Sequence, residues 1–139
     1  MAESIALDTH NFTVCLLAAV ARKGETQFVF PFTRERTATD AGAHAAWVYL
    51  ESNFSDAFTC RFAIYNTDSL GRSDDWSIAV AQCEQRGLIE KDSPKSWGGY
   101  VLSTDKLQAA ATEVCSNQLP WDILADVYIE ARNDALRSI

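Results

Sequence analysis

Apolar residues recur every three or four positions in five separate segments of this chain, and that helical spacing constrains the fold more than any other feature of the sequence. A segment of this kind has one apolar face, which is stable only when it is buried against another element. We therefore expect several helices to share one hydrophobic core. With 139 residues, of which 47% are hydrophobic, the chain is long enough to bury such a core without a disulfide or a bound metal. We predict a single domain over residues 1–139.

Capping residues delimit the predicted helices. Asp8 and Ser73 can accept hydrogen bonds from the free amide groups at a helix start, and Gly24 and Gly87 favour a helix end. The predicted helices run from Asp8 to Lys23, from Asp40 to Asn53, from Ser73 to Gly87, from Thr104 to Cys115 and from Pro120 to Leu136. Their predicted core residues are Phe12, Cys15, Leu16, Ala19 and Val20; Ala43, Ala46, Trp47, Leu50 and Phe54; Trp76, Ala79, Val80 and Cys83; Leu107, Ala111, Val114 and Cys115; and Leu124, Val127, Tyr128 and Ala131.

Short segments predict a small amount of β-structure. From Phe58 to Tyr65 apolar and polar residues alternate, which is the period of a half-buried strand. Gln27 to Phe32 predicts a short aromatic strand, and Pro31 places it at a sheet edge or at a strand end. Leu88 to Lys91 and Tyr100 to Ser103 can pair as a hairpin across a loop rich in turn residues. The predicted fold class is therefore α+β, with about five helices and a small antiparallel sheet or hairpin.

The charge balance restricts the partners that the surface can attract. The chain carries 19 acidic and 12 basic side chains, which gives a net charge of −7. Nucleic acids and anionic membranes bind proteins largely through Lys and Arg, so direct nucleic-acid binding and membrane attachment are disfavoured. The longest apolar run, Val14 to Ala21, is also too short to cross a bilayer. A protein partner with a basic surface would instead be attracted.

Four cysteines, Cys15, Cys60, Cys83 and Cys115, are too widely spaced to form a zinc motif or a C-x-x-C motif. Each falls on the predicted apolar face of its element, where a free thiol packs as a small hydrophobic group. The four could form a disulfide framework, but secreted disulfide-rich domains are usually shorter and contain more cysteine. The start of the chain also lacks the basic segment of a secretory signal. We therefore expect four reduced, buried thiols in a cytoplasmic protein.

No residue pattern indicates catalysis. His10 and His44 are the two imidazoles of the chain, and no family signature surrounds any cysteine. The glycine-rich phosphate loops of nucleotide enzymes are absent from the sequence. Asp74 and Asp75 are adjacent, so they do not face each other on a helix and are better interpreted as carboxylates at a helix start. We expect no catalytic residue, no cofactor and no metal, although an enzyme subunit with a site assembled from scattered residues remains an alternative.

The predicted fifth helix carries a regular row of acidic residues. Asp122, Asp126, Glu130 and Asp134 recur every four residues, which places carboxylates on adjacent turns. Like charges at this spacing cost about 0.2 to 0.5 kcal/mol per pair. No base lies within the helix before Arg132, so little in that segment offsets the repulsion. A solvated face and a docking face for a basic partner both fit this pattern.

Four further residues are candidates for contact with a partner. Between Thr37 and Cys60 the only charged residues are acidic, and they include Glu51 and Asp56. Trp97 and Tyr100 flank two glycines in the predicted hairpin. They could form an exposed aromatic anchor of the kind found at interface hot spots, or they could pack back on the domain.

The segment Gln85-Arg86-Gly87-Leu88-Ile89-Glu90, followed by Gly99-Tyr100-Val101-Leu102-Ser103, resembles the end of a recognition helix that runs into a wing in the winged-helix superfamily. The predicted order of helix, strand, helix, helix and hairpin also resembles that superfamily. The resemblance implies a decorated winged-helix-like core and a DNA-binding transcription regulator, with the third helix as the recognition helix and residues 92–99 as the wing tip. Five bases and six acids lie between Arg72 and Lys106, whereas a DNA-binding surface usually has an excess of bases.

The acidity and the missing catalytic motifs favour a small acidic, non-catalytic binding or inhibitory protein that docks on a basic surface of a protein partner. Carboxylates can stand where phosphates would lie, so such a protein could act as a nucleic-acid mimic, for example as a phage-type inhibitor of a nucleic-acid enzyme or of a defence complex. A winged-helix DNA-binding regulator is the alternative, and an enzyme subunit is the second alternative. The sequence specifies neither the partner nor the oligomeric state.

Overall fold

The computed structural model of the chain describes residues 5–7, 9–24, 27–29, 38–54, 58–60, 74–91, 99–114 and 119–137. These residues form five helices and five short strands. The helices are α1 (Thr9–Arg22), α2 (Ala38–Phe54), α3 (Asp74–Gln85), α4 (Thr104–Val114) and α5 (Trp121–Arg137). The strands are β1 (Ile5–Leu7), β2 (Gln27–Val29), β3 (Phe58–Cys60), β4 (Ile89–Lys91) and β5 (Gly99–Leu102). The prediction of an α+β fold with about five helices is confirmed.

Glycine follows two of the helices, as predicted. Gly24 and Gly87 come after α1 and α3 with φ angles of 88° and 74°, in the left-handed region that favours glycine. After α3, the amide of Gly87 donates to the carbonyl of Glu84 at 3.0 Å, and the amide of Leu88 donates to the carbonyl of Cys83 at 3.0 Å. These bonds satisfy carbonyl groups that the helix end leaves free, and they turn the chain directly into β4.

A three-stranded antiparallel sheet has the strand order β2–β5–β4. The β4–β5 pair is the predicted hairpin, in which Ile89 lies opposite Leu102 and Lys91 lies opposite Tyr100. β2 joins the other edge of β5, where Phe28 lies opposite Tyr100. The sheet therefore unites a strand from before α2 with the hairpin that follows α3.

β1 and β3 form a two-stranded parallel sheet, and the sequence pattern does not predict β1. Ile5 lies opposite Phe58, and Leu7 lies opposite Cys60. A segment of three residues is too short to show an alternating period, so β1 leaves no recognisable signal in the sequence. β3 covers the start of the predicted Phe58–Tyr65 strand, and residues 61–65 lie outside the described residues, as do residues 30–32 of the predicted Gln27–Phe32 strand.

α1 is the central helix. The sequence predicts one apolar stripe, but every residue from 12 to 21 is buried, including Thr13 and Val14. Helices α3, α4 and α5 all pack against α1. A helix that is apolar on nearly all sides is typical of a buried position. The predicted stripe is correct, and the three surrounding helices extend the burial around the whole helix.

α2 and α5 form the most extensive helix pair. Gly42 lets the helices approach closely, because a Cβ atom at this position would lie 2.7 Å from Cδ2 of Tyr128 and 2.9 Å from the carbonyl oxygen of Tyr128. Both helices also reach the ring of Phe12 in α1, whose centroid lies 5.6 Å from that of Trp47 and 6.0 Å from that of Trp121. The early part of α2 thus lies beside the middle of α5, and the later part of α2 lies towards the start of α5, so the helices run in opposite directions.

The buried face of α5 differs from the predicted one. Leu124 and Tyr128 are fully buried as predicted, whereas Val127 and Ala131 are only partly buried. Arg132 lies on the core side instead and is 6% exposed. Its guanidinium lies 6.0 Å from the centroid of the Tyr128 ring. The buried stripe is displaced around the helix because α5 packs against both α1 and α2.

The predicted core faces of the other helices are confirmed where their side chains are described. The buried residues are Ala43, Ala46, Trp47 and Leu50 in α2, Ala79, Val80 and Cys83 in α3, and Leu107 and Ala111 in α4. Phe54 and Val114 are partly buried against this core. The side chain of Trp76 and residue Cys115 lie outside the described part of the chain.

Candidate functional site

α3 and the β4–β5 hairpin are the elements that the winged-helix resemblance interprets as a recognition helix and a wing. In chain order, α1, β2, α2, β3, α3, β4 and β5 follow one another, so β3 interrupts the predicted order of helix, strand, helix, helix and hairpin. β2 lies beside β5, so a strand from before α2 completes the sheet that the hairpin begins. α3 therefore leads directly into the β4–β5 hairpin of this sheet.

The contacts of α2 and α3 differ from those of a helix-turn-helix pair. In the chain, β3 and residues 61–73 separate the two helices. α2 packs chiefly on α5, whereas α3 packs on α1. The winged-helix resemblance is therefore carried by α3 and the sheet, and α1 supports α3 from the core side.

α3 presents an exposed face that has no carboxylate among its described side chains. Its exposed residues are Ile78, Ala81, Gln82, Gln85 and, just after the helix, Arg86. Ile78 is 58% exposed although it is a large hydrophobic residue. Glu84 is half-buried, and Asp74 and Asp75 begin the helix with side chains outside the described residues. From residue 78 to residue 86, the face thus combines two carboxamides, one large apolar group and one base.

The winged-helix resemblance predicts a recognition helix at α3, but sequence reasoning did not single out the residues of its exposed face. A signal was present at Ile78, which lies off the predicted core stripe of Trp76, Ala79, Val80 and Cys83. A large apolar residue on the polar side of a helix is more informative than an apolar residue on the core side.

A polar contact holds Arg86 at the end of α3. Nη1 of Arg86 lies 2.6 Å from Nε2 of His10, in the first turn of α1. A guanidinium has donors only, so Nε2 accepts the hydrogen bond and the proton of the imidazole is assigned to Nδ1. His10, one of the two candidate imidazoles of the sequence, therefore orients a basic side chain at the edge of the α3 face.

The thiol of Cys83 is free and fully buried beneath α3. Burial raises its pKa to about 11, and the positive charge of Arg86 lowers it by a smaller amount. A thiol that stays protonated at neutral pH is a weak nucleophile. Cys83 is therefore a core residue, as the sequence predicts.

Cys15 corrects the prediction of four reduced thiols. It is fully buried in α1 as expected, but it is disulfide-bonded, and the side chain with which it pairs lies outside the described residues. The apolar period places Cys15 in the core, but the elements that surround α1 decide whether a second cysteine comes within bonding distance. The expectation of a cytoplasmic location loses its main support, because disulfides persist mainly in oxidising compartments.

The four carboxylates of the predicted acidic row are all exposed on α5, at Asp122, Asp126, Glu130 and Asp134. Two of them meet bases from the end of α1. Nη2 of Arg22 lies 3.4 Å from Oδ1 of Asp122, and Nζ of Lys23 lies 3.4 Å from Oδ1 of Asp126. These two bases come from outside the segment that the sequence prediction covered, and they partly offset the repulsion at Asp122 and Asp126. Sequence reasoning missed these pairs because Arg22 lies 100 residues before Asp122.

Arg22 joins three helices through polar contacts. Its Nη1 donates to Oε1 of Gln108 in α4 at 2.9 Å, and Nε2 of Gln108 donates to the carbonyl oxygen of Ala18 in α1 at 2.8 Å. Together with the contact to Asp122, these bonds connect the end of α1 and the middle of α4 to the start of α5. The first turn of the acidic row therefore contributes to the fold.

A surface cleft of about 340 Å³ lies at the start of α5. It is lined by Arg22, Leu119, Pro120, Trp121, Asp122 and Ile123. Leu119 and Trp121 are buried, whereas Ile123 is exposed. The first carboxylate of the acidic row is therefore bordered by apolar surface.

The other predicted partner-binding residues are only partly described. Glu51 is exposed near the end of α2. Tyr100 lies in β5, with its side chain outside the described residues, and Asp56 and Trp97 lie outside them entirely. A role for these four residues in contact with a partner stays a prediction.

Metal-binding and membrane-spanning features can be assessed only within the described ranges. There, no three side chains of the His, Cys, Asp and Glu types are grouped so that they could hold a metal ion. Among the described helices, none has both the length and the apolar character that a bilayer span requires.

Comparison with protein-family models, with curated proteins and with solved structures gives no match to this chain. The functional argument therefore depends on two surfaces of the protein itself. These are the exposed face of α3, formed by Ile78, Ala81, Gln82, Gln85 and Arg86, and the acidic row of α5.

Proposed function

We propose that this protein is a winged-helix-like DNA-binding protein that contacts double-stranded DNA through the exposed face of α3. The observation that carries the proposal is that α3, which has exposed polar groups, leads directly into the β4–β5 hairpin, and that β2 extends this hairpin to a three-stranded sheet. An α-helix fits the major groove of B-DNA, where each base pair offers a distinct pattern of donors and acceptors. Gln82, Gln85 and Arg86 are exposed and could bond with such groups.

The net charge of the chain determines how much non-specific attraction to DNA can contribute to this binding. A net charge of −7 opposes the non-specific attraction on which many DNA-binding proteins depend. Arg86 at the end of α3 and Lys91 in β4 are bases in this region of the chain. We therefore expect binding that is detectable at low salt and that depends strongly on DNA sequence, because base contacts must supply much of the affinity.

Selection of genomic DNA fragments by the full chain at low salt, followed by sequencing, tests the proposal. The double variant Gln82→Ala with Gln85→Ala should lower the recovery of enriched fragments by about 10-fold or more, because a well-placed bidentate contact contributes about 1–3 kcal/mol. Ser52→Ala, which changes an exposed polar side chain on α2, is the matched control and should leave recovery unchanged. Absence of enrichment, or equal recovery by the wild type and the double variant, would contradict the proposal.

Docking of a basic protein partner on α5 is the second candidate, in which the protein would act as an acidic inhibitor or nucleic-acid mimic. The observation in its favour is that the carboxylates of the acidic row stay exposed. The side chains of Asp122 and Asp126 are 70% and 65% exposed even where Arg22 and Lys23 approach them. A basic partner would have to compete with these two bases for the start of the row.

Charge reversal at Glu130 separates the two candidates, because Glu130 is exposed and takes no part in the pairs with Arg22 and Lys23. If α5 is the docking face, Glu130→Lys should slow association with a partner recovered from cell extract and should reduce the salt dependence of that association. The double glutamine variant on α3 should then associate like the wild type. The opposite pattern, with DNA recovered by the wild type and by Glu130→Lys, would exclude the second candidate.

A DNA-binding role also carries a proposal of a cytoplasmic location, in the same compartment as the DNA. A disulfide at Cys15 would be unusual in that reducing compartment. Alkylation of the protein isolated without a reductant, followed by mass measurement, should show whether Cys15 is bonded in the cell. Full alkylation of Cys15 would place the protein in a reducing environment.

A further inference from the structure

We infer that the DNA site contacted by α3 is built on A·T base pairs, and this inference rests on the proposed function. Ile78, Gln82 and Gln85 are separated by intervals of four and three residues, so their side chains project from one face of α3. All three are exposed. Within the part of the chain that the structure describes, the carboxamides of Gln82 and Gln85 make no side-chain hydrogen bond, which leaves them free to bind a ligand.

The chemistry of these side chains favours adenine and thymine. A glutamine carboxamide has both a donor and an acceptor, so it can bond at once to N7 and to the N6 amino group of adenine. The alkyl side chain of isoleucine can pack against the C5 methyl group of thymine. Guanine is most often read by Arg or Lys, since its N7 and O6 are both acceptors. α3 contains neither Arg nor Lys from Asp74 to Gln85, so it lacks the usual guanine-reading group.

Arg86 is the first base after α3 in the chain, and its position suits a phosphate better than a base edge. It follows the last residue of α3, and its guanidinium is held 2.6 Å from Nε2 of His10 in α1. This contact draws the side chain towards α1, at the border of the exposed face. Contacts to phosphate position a protein on DNA without choosing a sequence. Arg86 therefore adds affinity and leaves base choice to the three side chains on α3.

The length of α3 that carries these side chains limits the size of the site. Ile78 and Gln85 are seven residues apart, which corresponds to about 10 Å along the helix axis. Successive base pairs lie about 3.4 Å apart, so the three side chains span about three to four base pairs. A run of that many A·T pairs is the expected centre of the recognised sequence.

Selection from a random duplex library by the full chain tests this inference separately from the proposed function. We expect enrichment of sequences with a central run of A·T pairs, and we expect Gln82→Ala to weaken it. If no sequence is enriched, DNA binding itself fails as the proposed function. If a G·C centre is enriched and depends on Gln82, DNA binding stands and the A·T inference is overturned.

Duplexes with modified bases then test single contacts. The deciding measurement uses the wild-type protein, so it does not depend on the folding of a variant. Replacing thymine by uracil in the selected site removes the C5 methyl group and should weaken binding several-fold, whereas Ile78→Ala should bind both duplexes equally. Replacing adenine by 7-deazaadenine removes N7 and should weaken binding, and this effect should be smaller in Gln82→Ala or Gln85→Ala, each of which lacks one of the two carboxamides. Ser52→Ala should respond to both modifications like the wild type. Equal binding of normal and modified duplexes by the wild type would overturn the inference.

Discussion

α5 and α3 are both amphipathic helices with one face in solvent, but their exposed polar groups have different roles within the protein. On α5, Asp122 and Asp126 face bases from the end of α1 at 3.4 Å. On α3, Gln82 and Gln85 make no side-chain hydrogen bond to any other part of the described structure. The acidic row of α5 is therefore partly engaged in the fold, whereas the carboxamides of α3 are not.

This difference changes the relative weight of the two candidate surfaces. A row of like charges stands out in a sequence, but the sequence does not show how many of those charges are paired inside the protein. Side chains that stabilise the fold are less available to a partner, because binding must first break or share their contacts. Polar groups without an internal partner can bind a ligand without that loss. The comparison favours α3 as the functional face and leaves Glu130 as the member of the acidic row best suited to test the alternative.

A substitution on the packed side of α5 should give the largest change in the free energy of unfolding. Tyr128→Ala should lower the free energy of unfolding by about 3–5 kcal/mol, because the side chain is fully buried against α2. Ile78→Ala on the exposed face of α3 is the control and should change it by no more than about 0.5 kcal/mol. Urea unfolding followed by circular dichroism measures both. A large decrease in the free energy of unfolding for Ile78→Ala would mean that the exposed face of α3 is packed in solution. The contrast between the packed side of α5 and an exposed, unpacked face of α3 would then be wrong.

The buried thiol of Cys83 in α3 should make the free energy of unfolding depend on pH above pH 9. The ordinary pKa of the Cys83 thiol is 9.0, and burial raises it to about 11 in the folded protein. The unfolded chain therefore releases this proton at a lower pH, so the contribution to stability is complete below pH 9 and is lost as the pH rises towards 11. The loss should amount to about 2–3 kcal/mol.

Cys83→Ala isolates this effect from the titration of other groups. The difference in the free energy of unfolding between wild type and variant should narrow from pH 9 to pH 11, since the variant has no thiol to titrate at this position. A constant difference over that range would show that the thiol of Cys83 has an ordinary pKa.

The close approach of α2 and α5 predicts that Gly42→Ala destabilises the protein. Helix propensity alone would make this change favourable by about 1 kcal/mol. The added Cβ atom would lie 2.7 Å from the Tyr128 ring, so we expect a net loss of about 1–3 kcal/mol instead. In a Tyr128→Ala background the cost should be smaller, and a double-mutant cycle with urea unfolding measures the coupling. Equal effects in both backgrounds would mean that the carbonyl oxygen of Tyr128, and not its ring, opposes the added Cβ atom.

The smallest effect is expected at the start of the acidic row. Arg22→Gln should lower the free energy of unfolding by up to about 1 kcal/mol, because Arg22 contacts both Gln108 and Asp122, and both residues of the ion pair are partly exposed. Lys23→Gln should have a smaller effect, since Lys23 pairs with Asp126 and makes no second polar contact among the described side chains. Added salt should reduce the destabilisation caused by each substitution, because salt screens the ion pairs. No effect at either position would return the whole acidic row to its role as a candidate docking surface.

Local sequence patterns were sufficient to predict the helices and the hairpin. Trp47 and Leu50 in α2 and Val80 and Cys83 in α3 are buried as their helical spacing predicts. Gly87 ends α3 in the left-handed conformation that its position indicates. These predictions succeed because spacing and capping depend on interactions between residues only a few positions apart.

Other features could not be predicted from local patterns. The burial of Arg132 depends on the direction from which α2 approaches α5, and the disulfide of Cys15 depends on what surrounds α1. The pairing of Arg22 with Asp122 joins residues that no periodicity connects. The same is true of the candidate site, where the acidic row was visible in the sequence but the free carboxamides of α3 were not.

The sequence by itself therefore determined which residues form helices, where those helices end, which of their faces are apolar and which charges recur at regular intervals. Only the tertiary structure decided that β2 joins β5, that α1 is buried from residue 12 to residue 21 and that bases from the end of α1 meet the acidic row. It also decided that the carboxamides of Gln82 and Gln85 make no side-chain hydrogen bond within the described chain. The physical reason is the range of the interactions. Backbone hydrogen bonds and helix caps act between near neighbours in the chain, whereas burial and ion pairing depend on which distant segments the packing of the core brings together.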